Sequence, residues 1–390
     1  EERERPGLIA AGLAITATTT AILVLALNVD EKFSARWIFG VDSYEHLVLP
    51  LTVLLVGLIS HTFVYACLRG SLQIKAVNAM QLLNLGIFPL LLLLAAHKAT
   101  FSTLIILLGA GHVVTATIFL IAAVPSFGGM KGYRRFVGTL LRFGASRLIA
   151  TLAAAALFSL GPIVASHYVS IVEVGYLSLS LALLIGVASV ASPLGSVLLP
   201  HVSGLVSRGE VVRFERVLYV MIGAVLQALL FFTGQFMVFV DYVLTIWMGP
   251  TFLPAAPIMA VTFSALIAYG FFVIARNILD AVSTKALNST NSAISLGVLV
   301  LAMAVIIILW PPGDIALMFA VAFAVAINLL GVLTYLSIRK IFIFNTHEDL
   351  RHLLWGLALN VCAVGLSLLV EKYVTSSLVL FVIFQGTLLA

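Results

Sequence analysis

The chain has 390 residues, of which 62% are hydrophobic and 9% charged, and a formal net charge of +5. A soluble domain carries about 25% charged residues, so no water-exposed surface can be built from this inventory, and the chain reads as an all-α polytopic membrane protein. In a soluble protein the positive charge would point to nucleic acid; here it matters through the loops that hold it, and no nucleic-acid partner is expected.

A bilayer core needs roughly 20 apolar residues per helix. On that length the chain divides into about 12 spans, at 7–27, 44–66, 77–96, 102–124, 143–166, 174–199, 217–240, 254–276, 289–310, 315–337, 353–370 and 377–390. Runs this long with few charges are helices, since a membrane barrel would alternate apolar and polar residues over about ten positions. Sixteen of the 21 Lys and Arg occupy the N-terminal tail and every second loop, from Arg3 and Arg5 through Arg69 and Lys75 to Arg339, Lys340 and Arg351. Only Lys32, Arg36, Lys98 and Lys372 occupy the other loops, and Arg147 lies within a span. The alternation predicts a cytoplasmic N-terminus.

The longest connections, at 28–43 and 125–142, are too short for a soluble catalytic head, so no enzyme of that kind is expected. There is no Walker-type Gly-rich loop for ATP and no Cys/His spacing for zinc. No cofactor or metal is expected. Cys67 and Cys362 read as small apolar residues.

The turn Arg69–Asn78, "RGSLQIKAVN", is echoed at 276–288 as "RNILDAVSTKALN". Pro50 precedes Arg69 by 19 residues, and Pro257 precedes Arg276 by 19. Ahead of these come Trp37-Ile38-Phe39-Gly40 and Trp247-Met248-Gly249. The ordered set recurs at an offset of 207–210 residues. That offset is a step of six spans, so the two copies run in the same direction, as in parallel-repeat transporters. Applied to the spans at 143–166 and 174–199, it places their partners before residue 1. The expectation is an incomplete N-terminal lobe at 1–130 with four spans, a C-terminal lobe at 131–340 with six, and a terminal helix pair at 341–390 whose last helix is truncated. With its first two helices restored, the intact chain would have 14.

The segment 142–210 contains Arg142-Phe143-Gly144, then Val174-Gly175-Tyr176 opening the next helix. A run of small residues follows to Leu199-Pro200, with Ser203 and a basic turn beyond. With "LTIWMGPTFLPAAPIM" at 244–259, it resembles the polysaccharide flippases of the multidrug/oligosaccharidyl-lipid/polysaccharide exporter superfamily. The resemblance implies a two-lobe, alternating-access flippase of the bacterial inner membrane. It would move a polyprenyl-diphosphate-linked oligosaccharide from the cytoplasmic to the outer leaflet for polysaccharide or O-antigen assembly. Implied partners are the lipid-linked substrate, the bilayer, and a polysaccharide polymerase and glycosyltransferases. A peptidoglycan lipid II flippase and a cation-coupled drug antiporter are the alternatives within the same superfamily.

An ionisable side chain inside a span is a functional candidate by default. All Asp and Glu fall in loops, tails or span edges, whereas Arg147, His61 and His112 fall within spans. Arg presents a fork of donors that fits phosphate. Arg147, with Ser146 beside it, either lines a cavity or snorkels to the interface. Leu54, Gly57, His61 and Tyr65 share one helix face, turned to a cavity or to another helix. His112, with Gly109 and Gly111 just ahead of it, has the signature of a hydrogen-bonded packing histidine, with cavity lining as its other role. Arg69 and Arg276 close equivalent spans, as topology anchors or as cytoplasmic entrance residues. Amides such as Asn84, Gln227, Gln235 and Asn360 are expected to bond between helices. Pro89, Pro162 and Pro193 mark fixed kinks or hinges.

Overall fold

The computed structural model describes residues 5–123, 133–189, 211–282, 287–310, 314–340 and 346–373, with the backbone alone at 5, 143, 146, 147, 149, 150, 211–222, 277, 280–282, 346–354 and 370–373. Among the described residues every regular element is helical. Two compact units emerge, residues 1–147 and 148–390.

The first unit opens with α1 (Arg5–Asn28), an apolar helix without a charge after its first residue. Asp30 then starts a short amphipathic helix, α2 (Glu31–Phe39), by accepting a hydrogen bond from the Phe33 amide at 2.9 Å. A side-chain acceptor at this position satisfies an amide that the helix itself leaves open. Gly40, at φ 77°, ends α2 in the left-handed conformation that glycine adopts without steric cost. A 3-10 turn at Asp42–Leu47 leads into α3 (Val48–Gly70), with Pro50 in its first turn. Proline is tolerated there because no intrahelical amide bond is lost. Lys32–Glu45 and Arg36–Asp42 tie α2 to the turn, at 4.0 and 2.9 Å.

The turn after α3 is closed by the Ser71 amide on Cys67 O and the Gln73 amide on Leu68 O. Leu72, at φ 56°, is the one non-glycine residue with positive φ among the described residues. The chain continues through α4 (Ile74–Gln81), a π-helical stretch at Leu82–Ile87, and α5 (Phe88–Ala95). Next comes α6 (Phe101–Ala123), which packs closely along α3. A long helix, α7 (Tyr133–Ala165), crosses from the first unit into the second.

The second unit continues with α8 (Ile171–Ser189), α9 (Val211–Val238) and α10 (Val240–Trp247). After Gly249, at φ 91°, comes a 3-10 turn at Pro250–Ala255. Then follow α11 (Ala256–Phe263), α12 (Leu266–Val282), α13 (Leu287–Leu309), α14 (Ile315–Arg339) and α15 (Thr346–Tyr373). Its core gathers on α14, whose small residues Ala316, Ala320, Ala322 and Ala326 let neighbouring helices approach. Phe236, Phe263 and Phe323 fill the spaces between.

The succession in the first unit recurs in the second. Each has a long helix, a short helix closed by a positive-φ glycine, a 3-10 turn, and a span with proline in its first turn. The local structure thus repeats where the sequence does. The copies differ at one point. Where α3 is continuous, the second copy bends by 47° between Phe263 and Leu266. The Ser264 and Thr262 hydroxyls bond back to Val261 O and Ile258 O there, at 2.6 and 2.8 Å. Another bend, of 78°, separates α9 from α10 at Phe239.

Seven described helices are long and apolar enough to cross a membrane, or nine if each bent pair is one span. Of the predicted spans, 143–166 and 353–370 correspond to the charged helix α7 and to α15, whose apolar cores are shorter, at Thr151–Ala165 and Trp355–Leu369. The span at 377–390 lies outside the described residues. Large apolar side chains such as Leu94, Leu301 and Ile308 point outward from their helices, as lipid-facing surfaces require.

Candidate functional site

Polar side chains within the spans meet in the first unit, where α3, α6 and the α4–α5 segment pack together. Asn84 carries the π-helical stretch into this junction and is fully buried. The wide turn has a local cause. Pro89 lacks an amide hydrogen, and its ring crowds the carbonyl four residues back. The Phe88 amide bonds Leu83 O, five residues back, so the helix widens just ahead of the proline. Gly111 makes room on the facing helix: a methyl group there would lie 2.1 Å from the Phe88 ring.

The Asn84 amide nitrogen lies 2.7 Å from His61 Nδ1, and Thr115 Oγ1 bonds the Asn84 carbonyl oxygen. Thr115 Oγ1 is also 2.9 Å from Gly111 O, one turn back on α6. His112 Nδ1–H donates to Leu108 O at 2.7 Å. That bond fixes its tautomer and leaves Nε2 as a lone-pair acceptor. Nε2 is buried and has no hydrogen-bond partner among the described residues. The His61 ring stacks on Tyr65 with centroids 6.4 Å apart and meets His112 edge-on at 5.8 Å. His61 is the fourteenth of 23 residues in α3 and His112 the twelfth of 23 in α6, so both lie near mid-helix.

This placement fixes the direction of the Leu54, Gly57, His61, Tyr65 face. Leu54 and Gly57 lie against Gly109 of α6, and His61 lies against Asn84 and His112, so the face is turned toward helices of its own unit. His112 bonds its own helix in the glycine-rich stretch. Thr115 carried no signal in the sequence beyond its spacing of three from His112, which puts both on one face of α6. Asn84 was visible as an amide, but its role as the bridge between α3 and α6 was not.

A groove of about 660 Å³ runs along α1, α3 and α6 of the same unit. Leu13, Val24, Val56, Phe63 and Leu120 make it mainly apolar, with hydroxyls from Thr16 and Thr117. His61, Tyr65 and His112 do not line it.

In the second unit, Asn360 donates to Gln227 Oε1 at 2.9 Å and Ser367 donates to Gln235 Oε1 at 2.6 Å. Both contacts advance together along α9 and α15, so the two helices run parallel. Asn291 of α13 donates to Ser337 of α14 at 3.0 Å. Arg69 and Arg276 are exposed, and the Arg276 guanidinium lies 5.9 Å from the Phe272 ring centre. Pro162 lies within α7 and Pro89 opens α5. The side chains of Arg147 and Ser146, and the whole of Pro193, lie outside the described residues. Among the described residues no group of three His, Cys, Asp or Glu converges as metal ligands would.

These features define a multi-pass α-helical membrane protein built on two helical units. No protein-family model and no curated protein matches the chain. Among solved structures its fold is similar to that of the lipid II flippase MurJ in an inward closed conformation. The TM-score is 0.70 over 99% of this chain and 84% of that chain, with 14% sequence identity. At that identity the likeness is one of fold, and the fold is MurJ-like.

Proposed function

We propose that this protein is a flippase for a polyprenyl-diphosphate-linked glycan and moves it from the cytoplasmic to the outer leaflet by alternating access. The observation that carries this is a fold like that of a lipid-linked-precursor flippase along 99% of the chain. The parallel repeat, with lobes at 1–130 and 131–340 and a terminal pair at 341–390, supplies the symmetry that rocking of two lobes requires. The mainly apolar groove on α1, α3 and α6 is of a kind that takes a prenyl chain.

Two substrates fit. One is an oligosaccharide unit for polysaccharide or O-antigen assembly, which would bring a polymerase and glycosyltransferases as partners. The other is lipid II, the cargo named for the flippase whose fold is similar. In both, the diphosphate is the shared anion, and Arg147 with Ser146 is our choice to receive it. Arg69 and Arg276 would stand at the cytoplasmic entrance, in a bacterial inner membrane with the N-terminus cytoplasmic, as the alternation of Lys and Arg supports. Pro89, Pro162 and Pro193 are the proposed hinges. His61, Tyr65 and His112 enter the cycle through the buried cluster.

Complementation separates the substrates. The protein is expressed in cells depleted of their lipid II flippase and, in parallel, in cells lacking a polysaccharide flippase. Rescue of either supports the flippase assignment and names the glycan. Failure in both, with the protein present in the membrane, counts against it.

A further inference from the structure

The buried cluster of the first unit has two complete hydrogen-bonding arrangements on one set of heavy atoms. In the first, Thr115 donates to the Asn84 carbonyl oxygen, and the Asn84 amide donates to His61 Nδ1. His61 is then neutral, with its proton on Nε2. In the second, Thr115 donates to Gly111 O, which is also in range. The Asn84 side chain turns over, its amide donating to Thr115 Oγ1 and its carbonyl oxygen accepting from His61 Nδ1–H. The second arrangement accommodates an imidazolium at Nδ1, with a donor facing an acceptor at each of these three contacts. Turning over a side-chain amide exchanges N and O at nearly the same positions, so the same atoms hold His61 with and without the extra proton.

His112 adds a second basic atom, the buried and unpartnered Nε2. An orphaned acceptor in a membrane interior is costly unless it is used. We propose that His61, Asn84, Thr115 and His112 form a proton-binding site at mid-membrane, filled by one proton at a time, and that flipping by this protein is coupled to that proton. The coupling rests on the flippase assignment above, whereas the proton site does not.

The surroundings suit a single charge. With the two rings 5.8 Å apart, a second proton would be repelled by the first. Tyr65, stacked on His61, is the other titratable group at the cluster. No Asp, Glu, Lys or Arg occurs in residues 6–28 of α1, 48–68 of α3, 76–95 of α4 and α5, or 101–123 of α6. The ionisable groups of the packed elements lie at their ends. Arg69 and Lys75 are at one end, and Asp30, Glu31, Lys32, Arg36, Asp42, Tyr44, Glu45 and His46 are at the other, with His97 and Lys98 beyond α5. Protonation therefore acts through Asn84, which joins α3 to the π-helical turn ahead of Pro89.

The first test reads proton binding directly. Nitrogen-15 histidine NMR of the whole protein in lipid nanodiscs is followed from pH 4 to 9. The His61 imidazole should titrate in that range; His61→Gln should remove the titration and His112→Gln should shift its midpoint. Asn84→Leu should shift the midpoint, because it removes the partner of His61 Nδ1 in both arrangements, which keeps the test open if His61→Gln does not fold. If neither histidine responds across the range, the proton site is overturned.

The second test reads coupling. Proteoliposomes carrying a fluorescent polyprenyl-diphosphate sugar are exposed to an imposed pH gradient. Flipping should accelerate severalfold in the wild-type protein and lose its response to the gradient in His61→Gln. Wild-type flipping that ignores the gradient overturns the coupling. Titration without any flipping supports the site and overturns the flippase assignment instead.

Discussion

Gly57 and Gly109 bring α3 and α6 into backbone contact. A methyl group on Gly57 would lie 2.4 Å from Gly109 O, and one on Gly109 would lie 2.6 Å from Val53 O. Nothing larger than hydrogen fits at either position without moving a backbone. Overpacking of this kind costs about 1–3 kcal/mol. Gly57→Ala and Gly109→Ala should each lower the melting temperature of the purified protein. Gly186→Ala in α8, where a methyl group meets nothing within 4 Å, should leave it unchanged or raise it slightly.

The bridge from His61 through Asn84 to Thr115 predicts coupled energies. Interhelical hydrogen bonds in membranes average about 0.6 kcal/mol and reach about 1.7. Asn84→Leu should destabilise the first unit within that range or somewhat beyond it, because it leaves His61 Nδ1 and Thr115 Oγ1 without their shared partner. In a double-mutant cycle, Thr115→Val should cost less in the Asn84→Leu background than in the wild type. Additive effects would show that the two side chains do not interact.

The parallel register of α9 and α15 is open to cross-linking. With Cys67 and Cys362 replaced, Gln227→Cys paired with Asn360→Cys should cross-link under mild oxidation or with a short bifunctional thiol reagent. So should Gln235→Cys paired with Ser367→Cys. The mismatched pair, Gln227→Cys with Ser367→Cys, should not. An antiparallel pairing would reverse this pattern.

Gly40 is left-handed, at φ 77° and ψ −11°, and Gly249 is extended with positive φ, at φ 91° and ψ 165°. Either conformation costs a residue with a Cβ roughly 1–3 kcal/mol. Gly40→Ala and Gly249→Ala should therefore each lower the melting temperature, although a methyl group on Gly249 meets no atom within 4 Å. Equal stability in both variants would mean that the backbone adjusts freely there.

The same two glycines show what was legible in the sequence. Trp, Gly and Pro act within a few residues of themselves. The markers Trp37, Gly40 and Pro50, repeated as Trp247, Gly249 and Pro257, therefore announced two copies of one local structure. Span positions were legible for a similar reason, since a run of apolar residues fixes a helix in lipid wherever its neighbours lie. The expectation that amides bond between helices also follows from residue chemistry, and Asn84, Gln227, Gln235 and Asn360 all do so. What the sequence withheld depends on packing. The 78° bend at Phe239 has no proline or glycine at its break, and the 47° bend has hydroxyls in their place. Asn84 reaches His61 only because a π-helical turn rotates it inward, and no residue pattern states the partner on another helix. Arg147, the charge that stood out most in the sequence, lies in a helix whose backbone alone is described at that point.

The activity we propose for this protein is movement of a diphosphate-linked glycolipid across a bilayer. The most direct measurement is reconstitution into liposomes with a fluorescent polyprenyl-diphosphate saccharide in both leaflets, followed by a membrane-impermeant quencher. Vesicles containing the protein should lose nearly all their fluorescence, while empty vesicles and vesicles with a labelled ordinary phospholipid should lose about half. Loss of only half the glycolipid signal in the presence of the protein, or equal loss for both lipids, would contradict it.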